Sequence, residues 1–400
     1  MTLQPPPVKT PIPWDIFQGV ERDKALRRQV LFHPDGRLRH LLFSQQLSRS
    51  HLEHLFRLAT AIRRLNKTRA GQDALKDTLR HQAVLNLFVQ PSSRTVESFA
   101  AAEDVLGMSV RVQQDISTSS FAKGETVEDA VRTLSSYFDA LVIRHEDDAF
   151  VLRAAYALYH SNREIPVVSG GSGSSQHVTQ AILDIYTLLY SFAGQGGIDG
   201  KTVMLVADIA RNRAARSLIY LLTKFTGVRI ILVSPETSPP HRPAAWREPE
   251  VHAVYHEQAR LYHKGQADTA DLLAYLQRHN MAVFVESNIQ DALKVHGAEI
   301  DALYMTRNQS EYAGQGWQKL DDYQLKWAYR TLLKPDCVIM HPLPRNAELP
   351  DQWVDETQWP RSVVWRQVRN GMWIRAAIFA ELFGKSGHIF NAAGKLGIAL

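Results

Sequence analysis

Pro91-Ser92-Ser93-Arg94-Thr95 lies between the apolar run Ala83 to Val89 and a stretch, Val96 to Leu106, that reads as a helix. An apolar strand that feeds small hydroxyl residues, an arginine and then a helix start turns unpaired backbone N–H groups toward whatever sits above it, which suits a phosphate. Two serines, a threonine and a guanidinium add further donors to the same place. Serine and threonine are also ordinary N-caps, so these five residues alone fit a capped helix as well as an anion cradle.

Upstream, Leu52, Leu55, Phe56, Ala59 and Ile62 recur at helical spacing, with Ser50 and Glu53 placed to form a capping box and the basic pair Arg63-Arg64 at the helix end. Residues 1–37 carry Pro5, Pro6, Pro7, Pro11 and Pro13 and then a charged piece around Glu21 to Arg28. That segment reads as an extended or partly ordered arm.

Downstream, short apolar strands alternate with helices: Ser109 to Val112, a helix through Val127, Ala130, Val131 and Leu134, then Ala140 to Ile143 ending at Arg144-His145. Between the first two, Ser117 to Thr126 is too rich in hydroxyls and glycine for a strand and reads as an exposed loop. Ile165 to Val168 runs into Ser169-Gly170-Gly171-Ser172-Gly173-Ser174-Ser175-Gln176-His177-Val178-Thr179-Gln180, a glycine and serine run before the helix bearing Ile182, Ile185 and Leu189, which reads as a loop whose backbone approaches a ligand. Neither a G-x-x-x-x-G-K-[ST] loop nor a well-spaced dinucleotide fingerprint is present, which argues against an NTP or NAD site.

Gly194 to Gly200 reads as a linker, and beyond it a second α/β pattern begins. Its strands are Thr202 to Val206, Val228 to Val233, Ala282 to Val285, Ala302 to Met305 and Val338 to Met340, with the proline-rich excursion Pro235 to Pro249 between them. Asp208 and Arg213 follow the first of these strands, Arg307 and Gln309 the fourth, and His341-Pro342-Leu343-Pro344-Arg345 the fifth. In open α/β sheets, ligands collect at the carboxyl ends of the strands. The X-Pro steps predict an extended, rigid turn whose carbonyls can point at a ligand. Asn370-Gly371 precedes a last amphipathic helix through Ala376, Phe379 and Leu382.

Composition bounds the function. The chain has 400 residues, 45% of them apolar, which at roughly 150 residues per domain implies two or three domains. A net charge of +5, scattered along the chain, suits anionic small substrates, and no aromatic-interleaved basic patch supports a nucleic-acid role. The single cysteine, Cys337, excludes an internal disulfide framework and fits a reducing compartment. No long apolar span or signal-peptide core is present, so the expectation is a cytoplasmic protein that does not contact a membrane.

Six separated motifs occur in order: Pro-Ser-Ser-Arg-Thr at 91–95, Lys-Gly-Glu-Thr at 123–126, Arg144-His145, Gln-His-x-Thr-Gln at 176–180, Tyr-Met-Thr-Arg-x-Gln at 304–309 and His-Pro-Leu-Pro-Arg at 341–345. From about residue 40 to about 385 the chain resembles the aspartate carbamoyltransferases of the aspartate/ornithine carbamoyltransferase family. The resemblance implies an α/β fold of two similar-sized domains, each a parallel sheet flanked by helices, joined by a linker and a returning C-terminal helix. The expected parts are an extension (1–37), a carbamoyl-phosphate domain (38–195), an aspartate domain (196–363) and a C-terminal helix packing back on the first domain (364–400).

By the same resemblance, Ser92, Ser93, Arg94 and Thr95 would hold the phosphate, and Arg144, His177 and Gln180 would contact the carbamoyl group and phosphate. Arg213, Arg307 and Gln309 would bind the carboxylates of aspartate, and Leu343 and Pro344 would offer backbone carbonyls. The family implies a homotrimer with shared active sites, in which Ser119 and Lys123 match a loop lent by the neighbouring subunit. It also allows a regulatory or dihydroorotase partner, and it requires no cofactor or metal. Val96 and Ala100 stand where many relatives carry an arginine and a glutamate, Val178 replaces a proline, and Phe121-Ala122 is bulkier than the usual pair. Two alternatives stay open: transfer to another amine such as ornithine, and a catalytically weak binding or assembly subunit of the same fold.

Overall fold

The computed structural model describes residues 10–114, 124–173, 175–206, 212–233, 276, 279, 281–286, 288–307 and 320–399. The chain forms two compact units, one of Met1–Thr179 with Gly371–Leu400 and the other of Gln180–Asn370.

In the first unit, the charged N-terminal piece is not an arm. Trp14–Phe17 (α1) and Lys24–Leu31 (α2) are helical, and Phe17, Val20, Leu26, Val30 and Leu31 are buried. Asp23 caps α2 by accepting from the backbone N–H groups of Ala25 and Leu26. Trp14 and Phe17 each meet Tyr156 edge-on, with ring centroids 5.1 Å apart. The apolar spacing of Leu26 and Val30 is helical, but the six charges between Glu21 and Arg28 and the preceding prolines mask it.

Next come Arg49–Leu65 (α3) and Arg69–Lys76 (α4). The capping box of α3 starts two residues earlier than expected, between Ser48 and His51, while Glu53 pairs with Arg49 at 2.9 Å. Ala83–Phe88 (β1), Ser93–Val105 (α5), Ser109–Gln113 (β2), Val127–Ser135 (α6), Ala140–His145 (β3), Phe150–Tyr159 (α7), Val167–Ser172 (β4) and Val178–Ser191 (α8) follow. The strands pair in parallel in the order β2-β1-β3-β4. Val84, Leu87, Phe88 and Ala140 to Ile143 are fully buried, the continuous apolar reading of strands covered on both faces.

β4 runs four residues further than the apolar pattern, taking Ser169 to Ser172 out of the expected loop. All six of its residues are buried, so serine and glycine here fill a crowded sheet rather than a turn.

The second unit contains Thr202–Val206 (β5), Arg213–Leu222 (α9), Arg229–Val233 (β6), Ala282–Glu286 (β7), Ile289–His296 (α10), Ala302–Met305 (β8), Val338–Met340 (β9), Asp351–Val354 (α11) and the first part of Val364–Leu382 (α12). Its parallel sheet has the order β7-β6-β5-β8-β9. Trp327, Trp353 and Trp359 pack edge to face beside it, and the indole N–H groups of Trp353 and Trp359 donate to the carbonyls of Leu325 and Cys337. Such rings bury much area while their one polar atom stays paired.

The last amphipathic pattern starts earlier than Asn370-Gly371, and α12 passes straight through that pair. Asn370 is buried and donates to Thr187 Oγ1 at 2.9 Å, so its amide is satisfied by tertiary packing instead of by a local turn. The last helix, Ser386–Lys395 (α13), packs with the final part of α12 in the first unit, α13 lying against α3 and α4. Phe379 meets Phe99 of α5 at 6.2 Å, and Glu381 pairs with His54 at 2.9 Å. Among the described residues no helix is long and apolar enough to cross a membrane.

Candidate active site

Each sheet has one place where its strand order reverses. In the first unit the chain goes outward from β1 to β2 and then returns to β3 on the other side of β1; in the second it goes from β5 through β6 to β7 and returns to β8. At such a switch the loops after the two central strands part and leave a crevice at their carboxyl ends. Ser92 to Thr95 and Arg144 lie at the switch strands of the first unit, and Arg213 and Arg307 follow those of the second.

In the first, Ser92 to Thr95 follow β1 and Arg144 lies at the end of β3, paired in register with Phe88. The N–H of Gln90 donates to the carbonyl of Arg144 at 3.2 Å, tying the start of the cradle to the arginine's own backbone. Ser92 occupies the N-cap position of α5, but its side chain caps no backbone N–H; its hydroxyl donates instead to Thr95 Oγ1 at 2.9 Å. The first turn of α5 thus keeps its N–H groups uncapped by side chains, and this favours the anion cradle over the capped helix. Arg94 is exposed and Thr95 is buried.

Arg144 is held from below. It is 8% exposed, and its Nη1 donates to the carbonyl of Gly170 in β4 at 3.1 Å. A Cβ on Gly170 would stand 3.1 Å from the ring of Phe88 and 3.4 Å from Cβ of Arg144. Gly173, at φ +39°, would place a Cβ 2.3 Å from Asp148 Oδ1. The glycine run therefore serves the arginine and the tight exit from β4.

His177, at the start of α8 after β4, is 7% exposed. The neighbouring Gln176 is gripped by residues that the motif reading did not single out: its Oε1 accepts from Ser44 N at 2.8 Å, and its Nε2 donates to Gln45 Oε1 at 2.7 Å and to Glu21 Oε1 at 2.9 Å. Glu21 also accepts from Gln45 Nε2 at 3.1 Å. Burial pushes the Glu21 carboxyl up to about 7, against the pull of Arg27. Only its position beside Phe17 and Val20 in a masked helical pattern could have marked Glu21 in the sequence. His145, which follows Arg144, stacks on Phe150 at 4.1 Å, and burial lowers its pKa.

In the second unit, Arg213 opens α9 after β5, Arg307 follows β8, and Leu343-Pro344 follows β9; β5, β8 and β9 are adjacent strands. Asn212 caps α9 by accepting from Ala214 and Ala215. Thr306 anchors the residue before Arg307 through two bonds to the carbonyl of Val206, at 3.1 Å from its N–H and 2.9 Å from its hydroxyl. Arg213, Arg307 and Leu343 are half-buried and Pro344 is exposed.

The His341 segment is not the extended turn that its prolines suggest. Leu343 has φ +59°, and the Leu343–Pro344 peptide is cis. A left-handed leucine is costly, by about 1–3 kcal/mol, and persists only where its surroundings enforce it. Here they do. The N–H of Leu343 donates to His341 Nδ1 at 2.8 Å, which leaves the ring proton on Nε2 to meet Glu348 Oε1 at 3.0 Å. Burial alone would raise the Glu348 carboxyl, but hydrogen bonds from His341 and from the N–H of Asn346 outweigh it and hold it below the usual range.

Gln180 donates its amide to Asp184 Oδ1 at 2.9 Å; Gln367 donates to the same oxygen at 2.6 Å, and the hydroxyl of Tyr304 donates to Oδ2 at 2.7 Å. Asp184 is fully buried and was not visible as a site residue; its spacing of four from Gln180 on one helix face is the only trace it leaves in the sequence. Ser119, Lys123 and Gln309 lie outside the described residues, as do Asp208, Phe121-Ala122 and the Pro235 to Pro249 excursion.

Comparison with known proteins gives the family. The model of the aspartate/ornithine carbamoyltransferase carbamoyl-phosphate-binding domain matches residues 39–190, and that of the aspartate/ornithine-binding domain matches residues 199–382. The chain belongs to the aspartate/ornithine carbamoyltransferase family. It is 30% identical to the aspartate carbamoyltransferase catalytic subunit of Saccharophagus degradans, over 85% of this chain and 91% of that one. It is 32% identical to the chloroplastic aspartate carbamoyltransferase of Arabidopsis thaliana, over 84% and 76% respectively. The catalytic subunit of aspartate transcarbamoylase from M. jannaschii superposes with a TM-score of 0.68 at 28% identity, covering 87% of this chain and 98% of that one. The Trypanosoma cruzi enzyme in complex with N-(phosphonacetyl)-L-aspartic acid gives 0.65 at 29% identity, over 86% and 95%.

Proposed function

We propose that the chain transfers the carbamoyl group of carbamoyl phosphate to the amine of L-aspartate, giving N-carbamoyl-L-aspartate and phosphate in pyrimidine biosynthesis. The observation that carries the reading is the placement of the uncapped cradle with Arg144 at one sheet's switch point, and of Arg213 and Arg307 at the other's. One site suits a phosphate dianion and the other a dicarboxylate, since guanidinium forks match both groups bidentately.

In this scheme the first unit binds carbamoyl phosphate and the second binds aspartate. The neutral amine of aspartate attacks the carbonyl carbon, charge builds on the carbonyl oxygen, and phosphate leaves. Arg144 and His177, with Thr95, stabilise that oxygen, while Ser92, Ser93, Arg94 and the N–H groups of α5 take up the phosphate. Fixed donors of this kind are typically worth about 2.7–4 kcal/mol each in the transition state. Gln180 and the carbonyls of Leu343 and Pro344 orient the carbamoyl NH2 and the attacking amine, which supplies the proximity component. Gln309 joins Arg213 and Arg307 on the aspartate carboxylates. The departing phosphate is a suitable acceptor for the amine proton. The working form is a cytoplasmic homotrimer in which a neighbour lends Ser119 and Lys123.

Purified protein given carbamoyl phosphate and a panel of amines tests the reading through phosphate release. Turnover with aspartate is expected; turnover with ornithine in its place would overturn the substrate choice. Sedimentation of the same sample checks the trimer.

A further inference from the structure

We infer that Asp184 is a positioning residue that sets the polarity of the amides around the site, and through them the attitude of Gln180 and of the His341–Pro344 segment. The inference rests on the function proposed above for Gln180, Leu343 and Pro344.

A carboxylate can only accept hydrogen bonds, whereas a glutamine side chain looks almost symmetrical and can turn either its oxygen or its nitrogen toward a neighbour. Asp184 removes that ambiguity twice. Gln180 and Gln367 both present Nε2 to Oδ1, at 2.9 and 2.6 Å, so each Oε1 must face the other way. For Gln367 the consequence is observed: its Oε1 accepts from the backbone N–H of His341 at 3.0 Å. From there the direction continues. The His341 Nδ1 accepts from Leu343 N–H, and its Nε2 faces Glu348, a second acceptor-only group that ends the relay.

Between two buried carboxylates every donor and acceptor is thereby assigned, and the left-handed Leu343 sits on the assigned segment. For Gln180 the same logic leaves Oε1 and one N–H outward. An outward carbonyl oxygen is what the NH2 of a carbamoyl group needs as a partner; a flipped amide would oppose donor to donor. Tyr304 reaches Oδ2 at 2.7 Å from the strand that leads to Arg307, so two separate motifs and Gln367 of α12 converge on one carboxylate. Its phenol is held well above the ordinary range by burial and by the Asp184 charge, which keeps it a donor at every working pH.

The discriminating substitution is Asp184→Asn, which keeps size and shape but brings an NH2 that tolerates a reversed glutamine. Carbamoyl phosphate affinity is measured by calorimetry, turnover by phosphate release, and folding by thermal denaturation, beside Tyr304→Phe. Tyr304→Phe removes one hydrogen bond and reverses nothing. The expected result is a roughly 100-fold fall in kcat/KM for Asp184→Asn with at least a tenfold weaker carbamoyl phosphate, against less than a tenfold change in turnover for Tyr304→Phe at a similar loss of Tm. Equal kinetic losses in the two variants, tracking Tm, would show a merely structural role and overturn the inference, as would near-normal kinetics for Asp184→Asn. If Asp184→Asn does not fold, Gln367→Met decides: it cuts the relay to His341, and unchanged kcat and KM there would overturn the inference. A wild-type protein that binds carbamoyl phosphate without using aspartate refutes the proposed reaction alone, and the affinity comparison still reads Asp184; a wild type that binds none overturns both.

Discussion

The two units place charged groups at the same topological position but support them differently. In the first, the cradle and Arg144 rest on short-range backbone geometry: a helix start, an in-register strand pair and one carbonyl of Gly170. In the second, the loop carrying Leu343 hangs on a buried polar relay that runs from Asp184 through Gln367 and His341 to Glu348. Phosphate, bearing its charge on several equivalent oxygens, can be met by backbone N–H groups that the fold supplies without side chains. An amine and a carbamoyl NH2 need directed carbonyls, and directing a carbonyl takes a network that fixes which end of each amide points where.

That contrast predicts effects of graded size. Arg94→Ala should strike hardest, lowering phosphate release by about 10²–10³-fold while leaving Tm unchanged, because an exposed cradle arginine supports no packing; turnover within tenfold of wild type would argue that the first unit does not bind phosphate here. Gly173→Val should cost about 1–3 kcal/mol of stability, read by denaturant titration, since a side chain at φ +39° also collides with Asp148. A stable Gly173→Val protein would mean that the exit of β4 is softer than its geometry suggests. Arg307→Ala should raise KM for aspartate about tenfold or more with a smaller change for carbamoyl phosphate; an equal rise for both would blur the division of labour between the sheets.

The smallest effect concerns pH. Glu103, fully buried on α5, accepts from Asn86 Nδ2 at 2.7 Å, and burial pushes its carboxyl up to about 8 although Asn86 and Arg375 pull it down. Between the ordinary range near 4.5 and about 8, the folded carboxyl keeps a proton that the unfolded chain releases, so raising the pH across this window favours unfolding. Glu103→Gln keeps an acceptor for Asn86 and removes the titration. Its Tm advantage over wild type should therefore grow from pH 5 to above 8; a constant difference would show that Glu103 does not titrate in that window.

Much of this was legible in the chain because the phosphate half is local. Arg144 closes a strand, and Ser92 to Thr95 and His177 come within a few residues after one, so apolar period and chain order were enough to place them. What escaped was non-local or disguised. Asp184 and Gln367 are 183 positions apart and meet only after folding. Leu343 precedes a proline and so reads as extended, until His341 and the relay hold it left-handed. Ser169 to Ser172 look like a loop because small polar residues usually are, yet the sheet needs them small to admit Arg144 and Phe88. Glu21 was hidden among charges, although its neighbours Phe17 and Val20 are fully buried.

Glu21 also bears on where this protein can be cut. The matched family region begins at residue 39, and a trimmed version starting there would discard α1, α2 and the carboxylate on which Gln45 and Gln176 converge. Two interior amides would lose their shared acceptor, one of them Gln176, the neighbour of His177 in sequence, and the surface under Phe17, Val20 and Val30 would be laid open to water. The folded first unit of this chain accordingly reaches further forward than residue 39, where the matched family region begins.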